Sequence, residues 1–283
     1  MDYINGDALV ETDWLADRLN DSGVRIVDAT WYLPDVDRSG RDEHAERHIP
    51  GAVYWDMDEI ADPADPLPHM LPDAAIFAGH MARLGIGDGM KVVVYDGVGS
   101  MTAPRVWWTL RSFGHDDVVV LDGGLAKWLA EDRPTDAEAP AIGTGHFTAT
   151  VRPHMVRDVA AVRANLASQT EQVLDARSIG RFTGADPEPR PNCRSGHIPG
   201  SANLPYTELV DGETKMFRPA DALAERFAAS GIVASRPVVT TCGSGVTACV
   251  LALGLHLLGR DDVAVYDGSW SEWGTRDDTP VET

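Results

Sequence analysis

Val92-Val93-Val94-Tyr95-Asp96-Gly97 and Val238-Val239-Thr240-Thr241-Cys242-Gly243 are two versions of one segment, a short apolar run that stops at a glycine-containing turn. Three further landmarks recur around them in the same order. Val24-Arg25-Ile26-Val27-Asp28-Ala29 matches Gln172-Val173-Leu174-Asp175-Ala176, and His48-Ile49-Pro50-Gly51-Ala52 matches His197-Ile198-Pro199-Gly200-Ser201. Val118-Val119-Val120-Leu121-Asp122-Gly123-Gly124 matches Val263-Ala264-Val265-Tyr266-Asp267-Gly268-Ser269, with Trp128 and Trp273 at equal distances beyond. Ordered matches at an offset of 145 residues (Asp122 to Asp267) to 149 residues (His48 to His197) mark an internal duplication.

The Val-rich runs are continuous rather than alternating, the pattern of strands covered on both faces. Longer segments with helical spacing follow them, among them Ala103–Phe113, Pro219–Ala229 and Thr247–Leu258. Short strands alternating with helices predict an α/β fold, with a mainly parallel open sheet and helices on both faces in each half. Glu131–Pro153 is rich in Pro, Ala, Gly and Thr and lacks helical periodicity. The chain is therefore expected to divide into an N-terminal domain 1–135, a linker 136–155 and a C-terminal domain 156–283, consistent with 283 residues being long for one domain and comfortable for two.

With 44 acidic against 24 basic residues the formal charge is -20, which repels nucleic acid and anionic membranes. No apolar run is long enough to span a bilayer, and Met1–Val10 carries Asp2 and Asp7 instead of a basic and then apolar stretch, so a cytoplasmic protein without a secretory signal is expected. Only Lys91, Lys127 and Lys215 are lysines. This acidic, arginine-based composition resembles halophilic proteins of salt-rich cytoplasm, and an acidic proteome of biased composition gives the same pattern. In molar salt the Debye length falls to ~3 Å, so such a charge would cost little. Cys193, Cys242 and Cys249 have none of the spacings that hold zinc, and free thiols are expected, with neither a metal site nor a disulfide framework.

In an open parallel sheet, ligands sit beyond the carboxyl ends of the strands, where Cys242-Gly243-Ser244-Gly245-Val246-Thr247 leads into a helix. Small residues there let successive backbone N–H groups face one point, and the helix start adds positive potential, a setting that favours a thiolate. A merely buried cysteine is the plainer reading. Against it, the matching turn of the first half carries Asp96, so the scaffold does not require cysteine there. A phosphatase loop would need an arginine six residues after the cysteine, where Ala248 stands. His48 and His197 recur in both halves, as do Asp28, Asp175, Asp122 and Asp267, and are read as parts of the shared scaffold. Cys193 is expected to be an exposed thiol and Cys249 a core residue.

The duplicated halves, the two His-Ile-Pro-Gly segments and the Cys242–Thr247 loop resemble the rhodanese superfamily in its tandem form, over nearly the whole chain. In that family thiosulfate enzymes tend to place basic residues after the cysteine, whereas C-G-S-G-V-T resembles the 3-mercaptopyruvate sulfurtransferases. Gly180-Arg181-Phe182-Thr183-Gly184-Ala185-Asp186-Pro187-Glu188-Pro189-Arg190 resembles their substrate segment, which implies that Arg181 and Arg190 hold the donor. Guanidinium forks suit a planar 2-oxo acid; solvated arginines pairing with Glu188 and Asp186 are the alternative. Asp58 and His69, within Asp56–Pro72, resemble first-domain elements of the same enzymes and imply a relay Asp58, His69, Ser244 beside Cys242.

The resemblance thus implies a sulfurtransferase that forms a persulfide on Cys242, with N–H groups of Gly243, Ser244, Gly245, Val246 and Thr247 facing the anion. No metal or organic cofactor is implied, and the acceptors would be thioredoxin, other small thiols or cyanide. Thiosulfate as main donor is a rival within the enzyme class; a non-catalytic sulfur carrier or redox-sensing module is a rival outside it.

Overall fold

The computed structural model describes residues 2–33 and 36–283, which form two α/β units, each on a five-stranded parallel sheet. The first sheet comprises β1 (Leu9–Val10), β2 (Val24–Asp28), β3 (Val53–Tyr54), β4 (Lys91–Tyr95) and β5 (Val118–Leu121), in the order β1-β5-β4-β2-β3. The second comprises β6 (Val156–Arg157), β7 (Gln172–Asp175), β8 (Ala202–Asn203), β9 (Val238–Thr241) and β10 (Val263–Tyr266), in the order β6-β10-β9-β7-β8. The duplication read from sequence is therefore a duplication of topology.

Successive side chains of a strand point to opposite faces. Val92 and Val94 accordingly pack with Trp55, Phe77 and Phe113 on one side of the first sheet, while Val93 and Tyr95 pack with Leu15, Ile49 and Trp128 on the other. That two-sided covering is why the strands are unbroken apolar runs. Each buried Val or Leu side chain contributes roughly 1.5–3 kcal/mol.

The helices that follow β4 and β9, Ala103–Ser112 and Ala248–Leu257, pack against each other across the seam between the units. In the first every residue but Arg111 is buried, and in the second every residue but His256. A helix that is buried all round needs partners on all sides. Here one side meets the helix's own sheet and the other meets the second unit, so a single apolar core runs through both.

Polar staples cross the seam as well. The Asp122 carboxylate accepts from the Phe217 N–H at 2.8 Å, and in the mirrored contact the Asp267 carboxylate accepts from the Leu71 N–H at 2.8 Å. These aspartates are scaffold, as their recurrence suggested, but what they hold is the other unit. Burial pushes the Asp122 carboxyl up to about 6, against the pull of the Phe217 N–H. A carboxyl with a raised folded-state pKa weakens the fold when ionised, a cost complete above pH 6 and relieved as pH falls from about 6 toward 4. Asp122→Asn, which keeps the acceptor oxygen, is expected to be more stable than the parent at pH 7.5 by about 2 kcal/mol, with the difference fading toward pH 4. Denaturant melts of both proteins at the two pH values check this.

The segment from Asp136 to Arg152 is tied to the first unit, and Pro153–Met155 lies against β6 and β10 of the second. The Asp136 backbone pairs with His48, the Thr150 N–H donates to the Phe113 carbonyl, and Phe147 packs edge-on against Phe77. His48 and His197 behave alike: each Nδ1 bonds a backbone carbonyl, that of His44 at 2.6 Å and that of Phe182 at 2.8 Å, fixing the turn before a strand.

Candidate active site

In the second sheet the chain runs outward from β7 to β8 on one side and from β9 to β10 on the other. The carboxyl ends of β7 and β9 thus flank the point where the winding reverses, a position where ligands bind in open α/β sheets. Cys242 leaves the end of β9 there and lines a crevice of about 290 Å³ with Trp31, Met101, Arg181, Arg190, Ser244 and Tyr206. It is 2% exposed, so its sulfur faces this crevice rather than bulk water.

The loop backbone around it is preset. Gly245 has φ +76°, and a side chain there would meet the Asp267 carbonyl at 2.8 Å and Arg105 Nη1 at 2.9 Å, so only glycine fits. The N–H of Cys242 is held by Ser269 Oγ, and its carbonyl accepts from the Trp270 N–H. Among the described residues, no hydrogen bond takes up the N–H groups of Gly243, Ser244, Gly245, Val246 or Thr247.

The first unit shows what such a loop is shaped to hold. Asp96, the counterpart of Cys242, receives at Oδ1 the N–H groups of Val98 (3.1 Å) and Ser100 (3.0 Å), and at Oδ2 those of Thr102 (2.9 Å) and Ala103 (2.8 Å). Val98 and Ser100 correspond to Ser244 and Val246. In one copy of the turn four N–H groups close on a fixed carboxylate; in the other the turn starts with a cysteine, the N–H groups of Ser244 and Val246 have no acceptor among the described residues, and the N–H of Cys249, the counterpart of Ala103, donates to the Val246 carbonyl.

The first unit also reaches into this crevice. His69 is buried, and its Nε2 lies 2.9 Å from Asp58 Oδ1 while its Nδ1 lies 3.1 Å from Ser244 Oγ. The hydrogen bond from His69 holds Asp58 below the usual carboxylate range, so Asp58 accepts and fixes the Nε2–H tautomer. Burial lowers the His69 pKa more than Asp58 raises it, which keeps the ring neutral and leaves Nδ1 free to accept from Ser244. Trp31 stands edge-on to the ring at 4.9 Å and donates Nε1–H to Asp58 Oδ2 at 2.9 Å. His69 itself has φ +62°, left-handed backbone that costs a non-glycine residue on the order of 1–3 kcal/mol and persists only where the surroundings enforce it.

The two arginines differ. Arg190 Nη2 donates to Ser244 Oγ at 3.0 Å, and among the described residues Arg190 forms no ion pair. Burial lowers its pKa, with the Cys242 sulfur pulling the other way. Arg181 Nη2 lies against the loop, close enough that a Cβ on Gly243 would stand 3.1 Å away, but its fork is engaged by Glu188 through Nη2 at 2.5 Å and Nε at 3.3 Å. Of the two arginines expected to await a donor, one is already paired with Glu188. Asp186 takes no part: its carboxylate packs against Gly180.

Glu188 is anchored in turn by Arg177, which is buried, paired with Asp175 at 2.6 Å and stacked on Trp270. Arg177, Trp31 and Arg105 were missed by sequence reasoning. The partners of Trp31 and Arg105 are remote in the chain, and Arg177, though two residues from Asp175, meets Glu188 and Gly196 only through the fold; only a charge inside an apolar run, as in Arg105-Val106-Trp107-Trp108, could have flagged one of the three. Cys249 is a core residue, its thiol pushed up by burial. Cys193 is not the exposed thiol expected from its loop position: it is half-buried against the apolar cluster of the second unit that includes Ile198 and Trp270, and burial raises its pKa.

Comparison with known proteins agrees with this architecture. The model of the rhodanese-like domain matches residues 11–131 and again residues 158–276. The 3-mercaptopyruvate sulfurtransferase of Homo sapiens is 42% identical over 275 residues, covering 95% of this chain and 92% of its own. The thiosulfate sulfurtransferase of Cricetulus griseus is 43% identical over 273 residues, covering 94% and 91%. The crystal structure of SseA from Escherichia coli, a 3-mercaptopyruvate sulfotransferase with the rhodanese fold, superposes with a TM-score of 0.85 at 39% identity, covering 93% of this chain and 98% of that one. With two copies of the domain in one chain and relatives that match it nearly end to end, the protein belongs to the rhodanese family in its tandem form.

Proposed function

We propose that the protein is a sulfurtransferase that takes sulfane sulfur from 3-mercaptopyruvate onto Cys242 and passes it to a thiol or to cyanide. The observation that carries this reading is the loop that starts at Cys242, whose five following N–H groups have no hydrogen-bond acceptor among the described residues, in a crevice where Arg190 forms no ion pair with any described carboxylate.

In the proposed cycle the Cys242 thiolate attacks the donor sulfur, the carbon–sulfur bond breaks, and pyruvate leaves as its enolate. The proton that the donor thiol gives up is the one the enolate carbon needs, so the step requires only a shuttle. Ser244, donating to the neutral Nδ1 of His69 and backed by Asp58, stands where that shuttle would work. Arg190, helped by Arg181, orients the carboxylate and carbonyl, and the N–H groups of Gly243, Ser244, Gly245, Val246 and Thr247 stabilise the persulfide anion. The acceptor thiolate, or cyanide, then attacks the outer sulfur and releases the Cys242 thiolate. Because Cys242 is 2% exposed, the acceptor must be small or present a slender thiol, as thioredoxin or a low-molecular-weight thiol does. The same reading sets the protein in a salt-rich cytoplasm, where screening makes a charge of -20 tolerable.

The relay favours 3-mercaptopyruvate over thiosulfate. Transfer from thiosulfate releases sulfite and moves no proton, so a chain from exposed Asp58 through buried His69 to Ser244 would have no task in it. Steady-state assays with each donor test the assignment. The expected result is a kcat/KM for 3-mercaptopyruvate at least about tenfold above that for thiosulfate, since proton transfer by a positioned group is worth about 10²–10⁴-fold. A higher value with thiosulfate would reverse the donor assignment, and a protein that gains no sulfur mass from either donor would leave only a carrier or sensor role.

A further inference from the structure

Arg105 lies on the first unit's central helix and is 2% exposed. Its guanidinium crosses the seam beside the Cys249 thiol and meets three oxygens among the described residues. Nη2 donates to the His69 carbonyl at 2.5 Å, Nη1 donates to the Gly245 carbonyl at 3.3 Å, and Nη1 lies 2.8 Å from Asp267 Oδ1. The last is an ion-pair contact outside hydrogen-bond geometry, so Asp267 Oδ1 accepts no hydrogen bond among the described residues. The flat face of the guanidinium rests on Trp108, with Cζ 4.6 Å from the ring centroid. Both carbonyls belong to residues in left-handed backbone, His69 at φ +62° and Gly245 at φ +76°. One rigid fork therefore grips the two bends that bring the relay histidine and the cysteine loop together, and the Asp267 carboxylate that balances its charge also holds the Leu71 N–H, two residues beyond His69.

We infer that Arg105 is a positioning residue: its fork fixes the His69 and Gly245 carbonyls relative to each other and so sets the Ser244–His69 contact beside Cys242. This rests on the relay reading given above. A lysine cannot replace the fork, because a single ammonium lacks the planar pair of donors that spans two carbonyls. Arg105 does not line the crevice, and its partners are Gly245, His69, Asp267 and Cys249 rather than Cys242, so an effect on turnover must pass through the groups it holds.

The experiment is a double-mutant cycle on persulfide formation from 3-mercaptopyruvate, followed in a single turnover, using Arg105→Lys, His69→Asn and the double variant. Arg105→Lys is expected to slow the step by about 10- to 100-fold, the scale of an ångström-level misplacement, with donor KM changed less than about threefold. In the His69→Asn background the same change is expected to cost less than about threefold, because the contact it positions is already gone. Losses that multiply fully across the cycle would overturn the positioning role and leave Arg105 a purely structural residue. If His69→Asn alone has no effect, the relay fails, and the inference about Arg105 fails with it for that separate reason. Arg105→Gln, which keeps an uncharged donor for one carbonyl, serves as the second variant if the lysine protein does not fold. It is expected to follow the same pattern, and full multiplicativity there counts equally against the inference.

Discussion

Cys242→Ser is expected to abolish sulfur uptake. Serine differs from cysteine by one atom, so the loop, held through the Cys242 backbone by Ser269 and Trp270, should keep its shape. The hydroxyl, however, is a far poorer nucleophile than a thiolate and cannot hold a stable second sulfur. Turnover with 3-mercaptopyruvate should fall by at least about 10⁴-fold, the scale seen when a covalent nucleophile is removed from an enzyme. Mass spectrometry after exposure to the donor should find the parent protein heavier by one sulfur atom and the variant unchanged. If the variant still gained sulfur, the carrier would be another thiol, and half-buried Cys193 would be the first to test.

Arg190→Ala is expected to raise the donor KM by about 10- to 100-fold, the worth of one or two charge-assisted hydrogen bonds. Transfer from a preformed persulfide to cyanide should stay within about threefold of the parent, because the acceptor step does not use the donor's carboxylate. Arg181→Ala should be the milder change in KM, since Glu188 already engages its fork. Separate kinetics of the two half-reactions decide the matter; equal damage to both would mean that Arg190 serves the Cys242 anion itself more than the donor.

What could be read without coordinates follows from which interactions leave a local trace. The strands β4, β5, β9 and β10 are legible because a sheet covered on both faces writes its burial as an unbroken apolar run. The cysteine loop is legible because its small residues and its exchange of Asp96 for Cys242 stand within one turn. His69 and Asp58 came from resemblance; nothing local to Pro68-His69-Met70 says that the ring meets a serine 175 residues later. The pairing of Arg181 with Glu188 depends on Arg177, whose own partners Asp175 and Gly196 come from different turns. Arg105 left the faintest mark, a charge in a helix of buried residues whose contacts belong to the other unit. Apolar periodicity reports that such a helix is surrounded, but not by what.

The carboxylate of Asp96, ringed by four amide hydrogens, has a consequence for how the two copies divide the labour. A negative charge two bonds from Cβ is the outline of a cysteine carrying an extra sulfur. The silent copy is thus permanently laden: it can neither take up cargo nor give it away, and its turn never stands empty. The working copy must visit that same condition and leave it once in every cycle.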